Sequence, residues 1–299
     1  MFRFSHIKTS ISSFPVFVID KFLSKKVCDK IYYEIIKHSK YDDSVMGGRN
    51  RINKGSNNFK EFISKTIYAN RLFNKINSFS FYKKLDKILK INFKNNKWYS
   101  KHRPARFSKS NYSSQKPRTK LELKKISKNN AKSNLFAYLD VDFSAATGGY
   151  ARKAHRDNET RLINFIIYLN SVPKKCGGTL KIFNQKMRKH TVEEKYLRFP
   201  KEKKLKLVKK LQASKGLAVI FQSSPDSYHQ VTKFLSKNNK KRVFIYGSFS
   251  LNRPVIWKYF FKRQIYYYNP RSKKLKNKYK NVLKKNKYRF EQITNYVRV

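Results

Sequence analysis

His155 and Asp157 stand two residues apart, His229 follows much later in the chain, and Arg242 comes shortly after it. In an extended segment alternate side chains share a face, so the His155 imidazole and the Asp157 carboxylate can aim at one point. A second imidazole from a distant strand, His229, completes two His and one carboxylate. That donor set holds a non-haem Fe(II) on one face and leaves the other positions open to substrate, cosubstrate and oxygen. Arg242 offers a planar, permanently charged fork suited to a carboxylate. Metal ligands plus a carboxylate clamp describe an oxygenase site. An H-x-D pair alone is weak evidence, because with 6 His in the chain one can precede an Asp by chance in a surface turn.

The segments around these residues carry more weight. Gly148-Gly149-Tyr150 forms a glycine turn leading into His155, and Arg161 opens an apolar run over 162–169 that ends at Asn170. A Cys176-Gly177-Gly178 turn then precedes a strand-like stretch over 179–183. Strand candidates at 136–141, 162–169, 179–183, 217–221 and 242–249 are rich in β-branched and aromatic residues. On the last of these, Phe244, Tyr246 and Ser248 share the face of Arg242, while Val243, Ile245 and Phe249 lie on the other. If the first face lines a barrel, the guanidinium is interior and requires an anion; a rim Arg beside Lys241 is the plainer alternative.

In this order the segments resemble the prolyl-4-hydroxylase-like branch of the 2-oxoglutarate/Fe(II)-dependent dioxygenases. The resemblance is close over about 136–250 and looser over 14–23, which looks like that family's opening strand and helix start. It implies a double-stranded β-helix, the jelly-roll shape, with His155, Asp157 and His229 on iron and Arg242 on the C5 carboxylate of 2-oxoglutarate. Asn164 and Tyr168, on one face of the strand after the H-x-D turn, are candidate hydrogen-bond donors to that cosubstrate; Tyr168 also reads as core. Tyr150 and Arg161 fall near the pocket mouth, where they read equally as structural support. Fe(II) and 2-oxoglutarate would activate O2, giving succinate and CO2, with hydroxylation the usual outcome. Collagen-type members use Lys as the clamp, so Arg242 supports the cofactor chemistry and does not support proline as the substrate.

Composition bounds the alternatives. A chain of 299 residues that is 39% hydrophobic, with 24 Phe and 20 Tyr, supplies one sizeable core. No apolar stretch approaches the roughly 20 residues that span a bilayer, and 14–19 is too short and proline-broken for a signal peptide. Two cysteines, Cys28 and Cys176, predict no disulfide framework and fit a reducing cytoplasm. The net charge of +54, from 71 Lys and Arg against 17 Asp and Glu, draws anions, 2-oxoglutarate among them. Codon bias toward Lys, Asn, Ile, Phe and Tyr accounts for part of it, but not for the shortage of acids.

The expected organisation is α+β. Residues 1–92 form an N-terminal helical part, with Ser24 capping a helix through Val27, Ile31, Ile35 and Ile36, a loop over 42–58, and helices over 59–67 and 81–89. Residues 93–133 are a basic loop or insertion whose one acid is Glu122, 134–250 the β-helix core with a Lys-rich insertion over 185–211, and 251–299 a basic, aromatic extension. The substrate class stays open: a protein side chain, a sugar, another anionic metabolite or a nucleic-acid base. The partner is then a polyanion such as RNA, an anionic glycan or an acidic protein. The rival reading is a nucleic-acid-binding protein with an idle barrel, its basic stretches tracking phosphates and its aromatics stacking bases.

Overall fold

The central strands carry different residues on their two faces, and that difference sets the architecture. In the computed structural model of the chain the described residues are 2–4, 7–9, 14–42, 48–93, 106–109, 136–157, 160–186, 199–200, 202–224, 227–236, 240–251, 258–260 and 295–297. The elements are, in chain order, β1 (Ile7–Thr9), β2 (Val16–Ile19), α1 (Lys25–Lys37), β3 (Arg49–Asn53), α2 (Asn57–Lys65), α3 (Tyr68–Ile76), α4 (Phe79–Phe93) and β4 (Arg106–Ser108). Then come β5 (Phe136–Ala146), β6 (Arg152–His155), β7 (Arg161–Tyr168), β8 (Leu180–Gln185), β9 (Leu205–Leu211), β10 (Ala218–Gln222), β11 (Tyr228–Val231) and β12 (Arg242–Leu251). A separate antiparallel pair joins β13 (Lys258–Phe260) to β14 (Asn295–Val297).

The larger sheet has the order β1-β2-β10-β7-β12-β5-β3, with β4 parallel to β5 at its side; the smaller has the order β6-β11-β8-β9. Phe17, Ile163, Phe165, Ile220, Val243, Ile245 and Phe249 point from the larger sheet into a helix layer, where they meet Ile31, Ile35, Phe62, Leu72 and Leu85. Their neighbours one residue along, Val18, Ile166, Val219, Phe221 and Phe244, face Leu180, Ile182, Leu211 and Val231 of the smaller sheet. Strands that bury both faces therefore read as continuous apolar runs. The result is an α+β fold with a jelly-roll core. Ser24 caps α1, accepting from the Val27 amide at 3.4 Å.

Three expectations need correction. The basic loop expected over 93–133 contains β4, which runs parallel to β5. The loop expected over 42–58 contains β3, which pairs antiparallel with β5. The insertion expected over 185–211 contains β9, the edge partner of β8. The last two strands carry so many cations that their alternation was masked: β3 reads Arg49-Asn-Arg51-Ile52-Asn53, and β9 has Lys at 206, 209 and 210. Most of the basic segment 93–133, the aromatic cluster Tyr266–Tyr268, Trp257 and the basic run from Arg271 lie outside the described residues.

Gly247 sits mid-strand in β12 for a packing reason. A Cβ there would lie 2.1 Å from the Phe165 ring, which is itself buried against Phe81 and Phe249. Gly247→Ala is therefore expected to cost about 1–3 kcal/mol by overpacking, read as a lowered midpoint in urea at unchanged slope. An unchanged midpoint would show that Phe165 has room to move.

Candidate metal centre and anion pocket

β11 lies between β6 and β8, and its register sets His229 directly opposite His155. The two imidazole centroids are 4.3 Å apart. Asp157 follows β6 by two residues, and one donor atom from each of His155, Asp157 and His229 falls within 4.8 Å of the others. All three residues are buried. Nε2 of His229 and Oδ2 of Asp157 are 3.8 Å apart, too far for a hydrogen bond and suited to sharing an ion.

Both rings are oriented the same way. Nδ1 of His155 lies 2.8 Å from the Lys153 carbonyl, and Nδ1 of His229 lies 3.1 Å from the Ser227 carbonyl. A carbonyl only accepts, so Nδ1 carries the proton and Nε2 keeps its lone pair for a metal. Burial lowers the pKa of His229, and burial with the neighbouring His229 holds that of His155 well below the ordinary value. Neutral imidazoles are the ligating form. Phe199 stacks on His155 and Phe221 lies against His229.

Asp157 is held from behind. Arg161 Nη1 lies 3.4 Å from its Oδ1, and the Tyr246 hydroxyl donates to its Oδ2 at 3.2 Å. Arg161 in turn donates to the Tyr246 hydroxyl, forming a relay of three side chains. Arg161 was anticipated as a flanking residue. Tyr246 was not assigned a role, although its position on the Arg242 face of β12 was the available signal.

Arg242 begins β12 and is 1% exposed, so the rim alternative does not describe it. Asn170 fixes the strand start on both sides, accepting from the Val243 amide and donating to the Lys241 carbonyl. The guanidinium lies over Phe244 at 4.4 Å and Tyr168 at 5.1 Å, and its Nη2 donates to the Tyr168 hydroxyl at 3.3 Å. Burial raises the Tyr168 pKa, so that hydroxyl keeps its proton. Gly178, with φ +66°, leaves the space for Arg242: a Cβ would sit 3.0 Å from its Cδ. The sequence marked this glycine only as a turn. Arg242 Nε and Nη1 are buried without a hydrogen-bond partner. Asn164, fully buried on the same face of β7 as Tyr168, likewise leaves its Nδ2 unpartnered, while its Oδ1 is 3.5 Å from the Tyr246 hydroxyl. The structure thus brings Tyr168 to Arg242, and Asn164 to the relay behind Asp157.

Residues 141–249 match the family model described as the 2OG-Fe(II) oxygenase superfamily. No curated protein matches the chain. Among solved structures, a Pseudomonas putida prolyl-4-hydroxylase shares 12% identity at a TM-score of 0.42, covering 79% of this chain and 91% of its own. A collagen prolyl hydroxylase of Paramecium Bursaria Chlorella virus-1 shares 14% at 0.40, covering 79% and 94%. HygX of Streptomyces hygroscopicus, solved with nickel and 2-oxoglutarate, shares 10% at 0.43, covering 80% and 84%.

The lowered imidazole pKa values predict a pH dependence of the metal-free protein. Unfolded chain takes up a proton on each His near pH 6.5, whereas the folded rings resist until lower pH. Stability is therefore full above about pH 6.5 and falls as pH drops below it, because the unfolded state binds more protons. Thermal melts between about pH 8 and 5 should show this fall. The fall should be smaller in His229→Gln than in the native chain; equal slopes would remove His229 from the account.

Proposed function

We propose that this chain, whose residues 141–249 match the 2OG-Fe(II) oxygenase superfamily, is a working dioxygenase that hydroxylates an anionic substrate. The observation that carries the reading is the juxtaposition of three convergent metal donors with a buried guanidinium that keeps two donor atoms unpartnered. His155 Nε2, His229 Nε2 and an Asp157 oxygen would hold Fe(II). Arg242 would take the C5 carboxylate of 2-oxoglutarate through its guanidinium, beside the Tyr168 hydroxyl. Asn164 Nδ2 is the further donor available on the same face. When bound, Fe(II), 2-oxoglutarate and O2 supply the oxidation of an unactivated C–H bond to C–OH, with release of succinate and CO2.

The chain's own residues do the positioning. The Lys153 and Ser227 carbonyls fix the imidazole tautomers, and Arg161 with Tyr246 aims the carboxylate. Phe199 and Phe221 wall the imidazoles. An idle barrel would leave Arg242 Nε and Nη1 buried with no acceptor, at the cost of their desolvation. The surplus of cations suits substrates that are, or are borne on, polyanions such as RNA, an anionic glycan or an acidic protein. Among the described residues no helix is long and apolar enough to cross a membrane. Cys28 and Cys176 are free thiols, and burial pushes Cys28 up to about 12, in keeping with a reducing cytoplasm.

Calorimetric titration tests the assignment. Mn(II) or Fe(II) binding should collapse in His155→Ala and in His229→Ala, since a three-ligand site has no replacement bond; unchanged affinity in both would refute the metal assignment. Arg242→Ala should spare the metal and weaken 2-oxoglutarate by roughly 10- to 100-fold, the equivalent of one lost charge-assisted hydrogen bond. Intact 2-oxoglutarate affinity would place the clamp elsewhere.

A further inference from the structure

We infer that the barrel contains a second anion subsite, at Arg51, that receives a carboxylate or phosphate group of the substrate itself. This rests on the oxygenase reading above and names the substrate's chemistry within it.

The placement follows from register. β3 pairs antiparallel with β5, setting Arg49 opposite Ala146, Arg51 opposite Ser144 and Asn53 opposite Asp142. On β5 the odd-numbered residues Leu139, Val141, Phe143 and Ala145 belong to the helix layer, as does Ile52 of β3. The side chains of Arg49, Arg51, Asp140, Asp142 and Ser144 therefore face the barrel interior. Arg49 bears this out, donating to Ser144 at 3.0 Å and to Asp142, with its guanidinium over the Phe244 and Tyr246 rings.

Arg49, Arg51, Arg161 and Arg242 lie on this interior with the carboxylates of Asp140, Asp142 and Asp157. Arg49 is committed to Asp142. Arg161 reaches Asp140 at 3.8 Å and Asp157 at 3.4 Å. Arg242 is the clamp for the cosubstrate. Arg51 is what remains. It is 6% exposed, its Nε is buried with no hydrogen-bond partner, and among the described residues it forms no ion pair. The charges of Asp142 and Asp140 act on it without a hydrogen bond; Asp142 Oδ1 is taken by Arg49 and Ser144, and Oδ2 is buried without a hydrogen-bond partner.

A buried guanidinium nitrogen without a partner, here Arg51 Nε, is costly unless an acceptor arrives, and an anionic oxygen is the acceptor that also neutralises the charge. The subsite shares the interior face with the metal donors: the charges of Asp142 and Asp140 act on Arg51, Asp142 lies opposite Tyr246 across the strands, and Tyr246 donates to Asp157. It is separate from the cosubstrate clamp: the Phe244 ring carries Arg49 at 4.9 Å and Arg242 at 4.4 Å, and Arg51 lies beyond Arg49 along β3. An anionic group held there would leave the rest of the substrate beside the metal.

The test uses the full chain with substoichiometric Mn(II) and saturating 2-oxoglutarate, titrated separately with inorganic phosphate and with 13C-labelled acetate. Paramagnetic relaxation of 31P and 13C falls steeply with distance, so anions on surface lysines contribute little and an anion at Arg51 is seen. Enhancement is expected in the native chain, with apparent affinity reduced at least tenfold in Arg51→Met, an effect of the size of one charge-assisted hydrogen bond. Arg51→Gln serves as the second variant should Arg51→Met not fold. The anion with the larger enhancement identifies phosphate or carboxylate as the substrate's group. Absence of enhancement in the native chain, or equal enhancement in the variants, would overturn the subsite; the latter would mean direct ligation to Mn(II). A lower melting temperature in the variants with undiminished enhancement would make Arg51 a structural partner of Asp142. Calorimetric Mn(II) and 2-oxoglutarate affinities are measured alongside: their absence in the native chain is failure of the oxygenase reading, while normal affinities with no enhancement is failure of the subsite alone.

Discussion

Strict alternation along β5 and β12 is the constraint on which the rest depends. Each strand turns apolar side chains toward the helices and its polar and charged ones toward the barrel interior, alongside Ala146 and Phe244, so Phe143 and Ile245 lie in the helix layer while Asp142 and Arg242 do not. A slip of one residue would drive Asp140, Asp142 and Arg242 among the phenylalanines around Phe81, and expose the apolar set to the site. The cost of burying unpaired charge there is several kcal/mol for each ion, so the register is strongly specified. The helix layer thus contributes to the chemistry at a distance, by making the wrong register untenable.

The same alternation explains which parts were legible. Strands of mixed apolar and site residues, β7 and β12 above all, announced themselves, because half of each is an uninterrupted apolar pattern. The convergence of His155, Asp157 and His229 and the inward placement of Arg242 were legible because their spacing is a property of chain chemistry rather than of packing. β3 was not. It has one apolar residue, Ile52, and its inward face is arginine, so the period-2 signal was carried by residues that ordinarily mark a solvated loop. β9 failed in the same way, its Lys residues facing outward at a sheet edge, where charge discourages edge-to-edge pairing. Tyr246 was hidden differently. Nothing local distinguishes a tyrosine aimed at Asp157 from a core tyrosine, and the distinction exists only once β12 lies beside β7.

The interior charges also differ in kind from those outside. Among the described residues most Lys side chains are solvated, where each cation is screened within about 10 Å at ordinary ionic strength. Inside the barrel the same charges act unscreened, and each needs a specific partner. Arg49 and Arg161 have found theirs in the protein, whereas Arg242 keeps donors open. Exterior charge can concentrate anions near the protein without choosing among them. Selection falls to the buried guanidinium groups, because a ligand that cannot satisfy their donors must pay the desolvation cost without the return. On the proposed reading the barrel would read charge twice, loosely at its surface and stringently beside the candidate metal donors, and the second reading would restrict which anion could be positioned for oxidation.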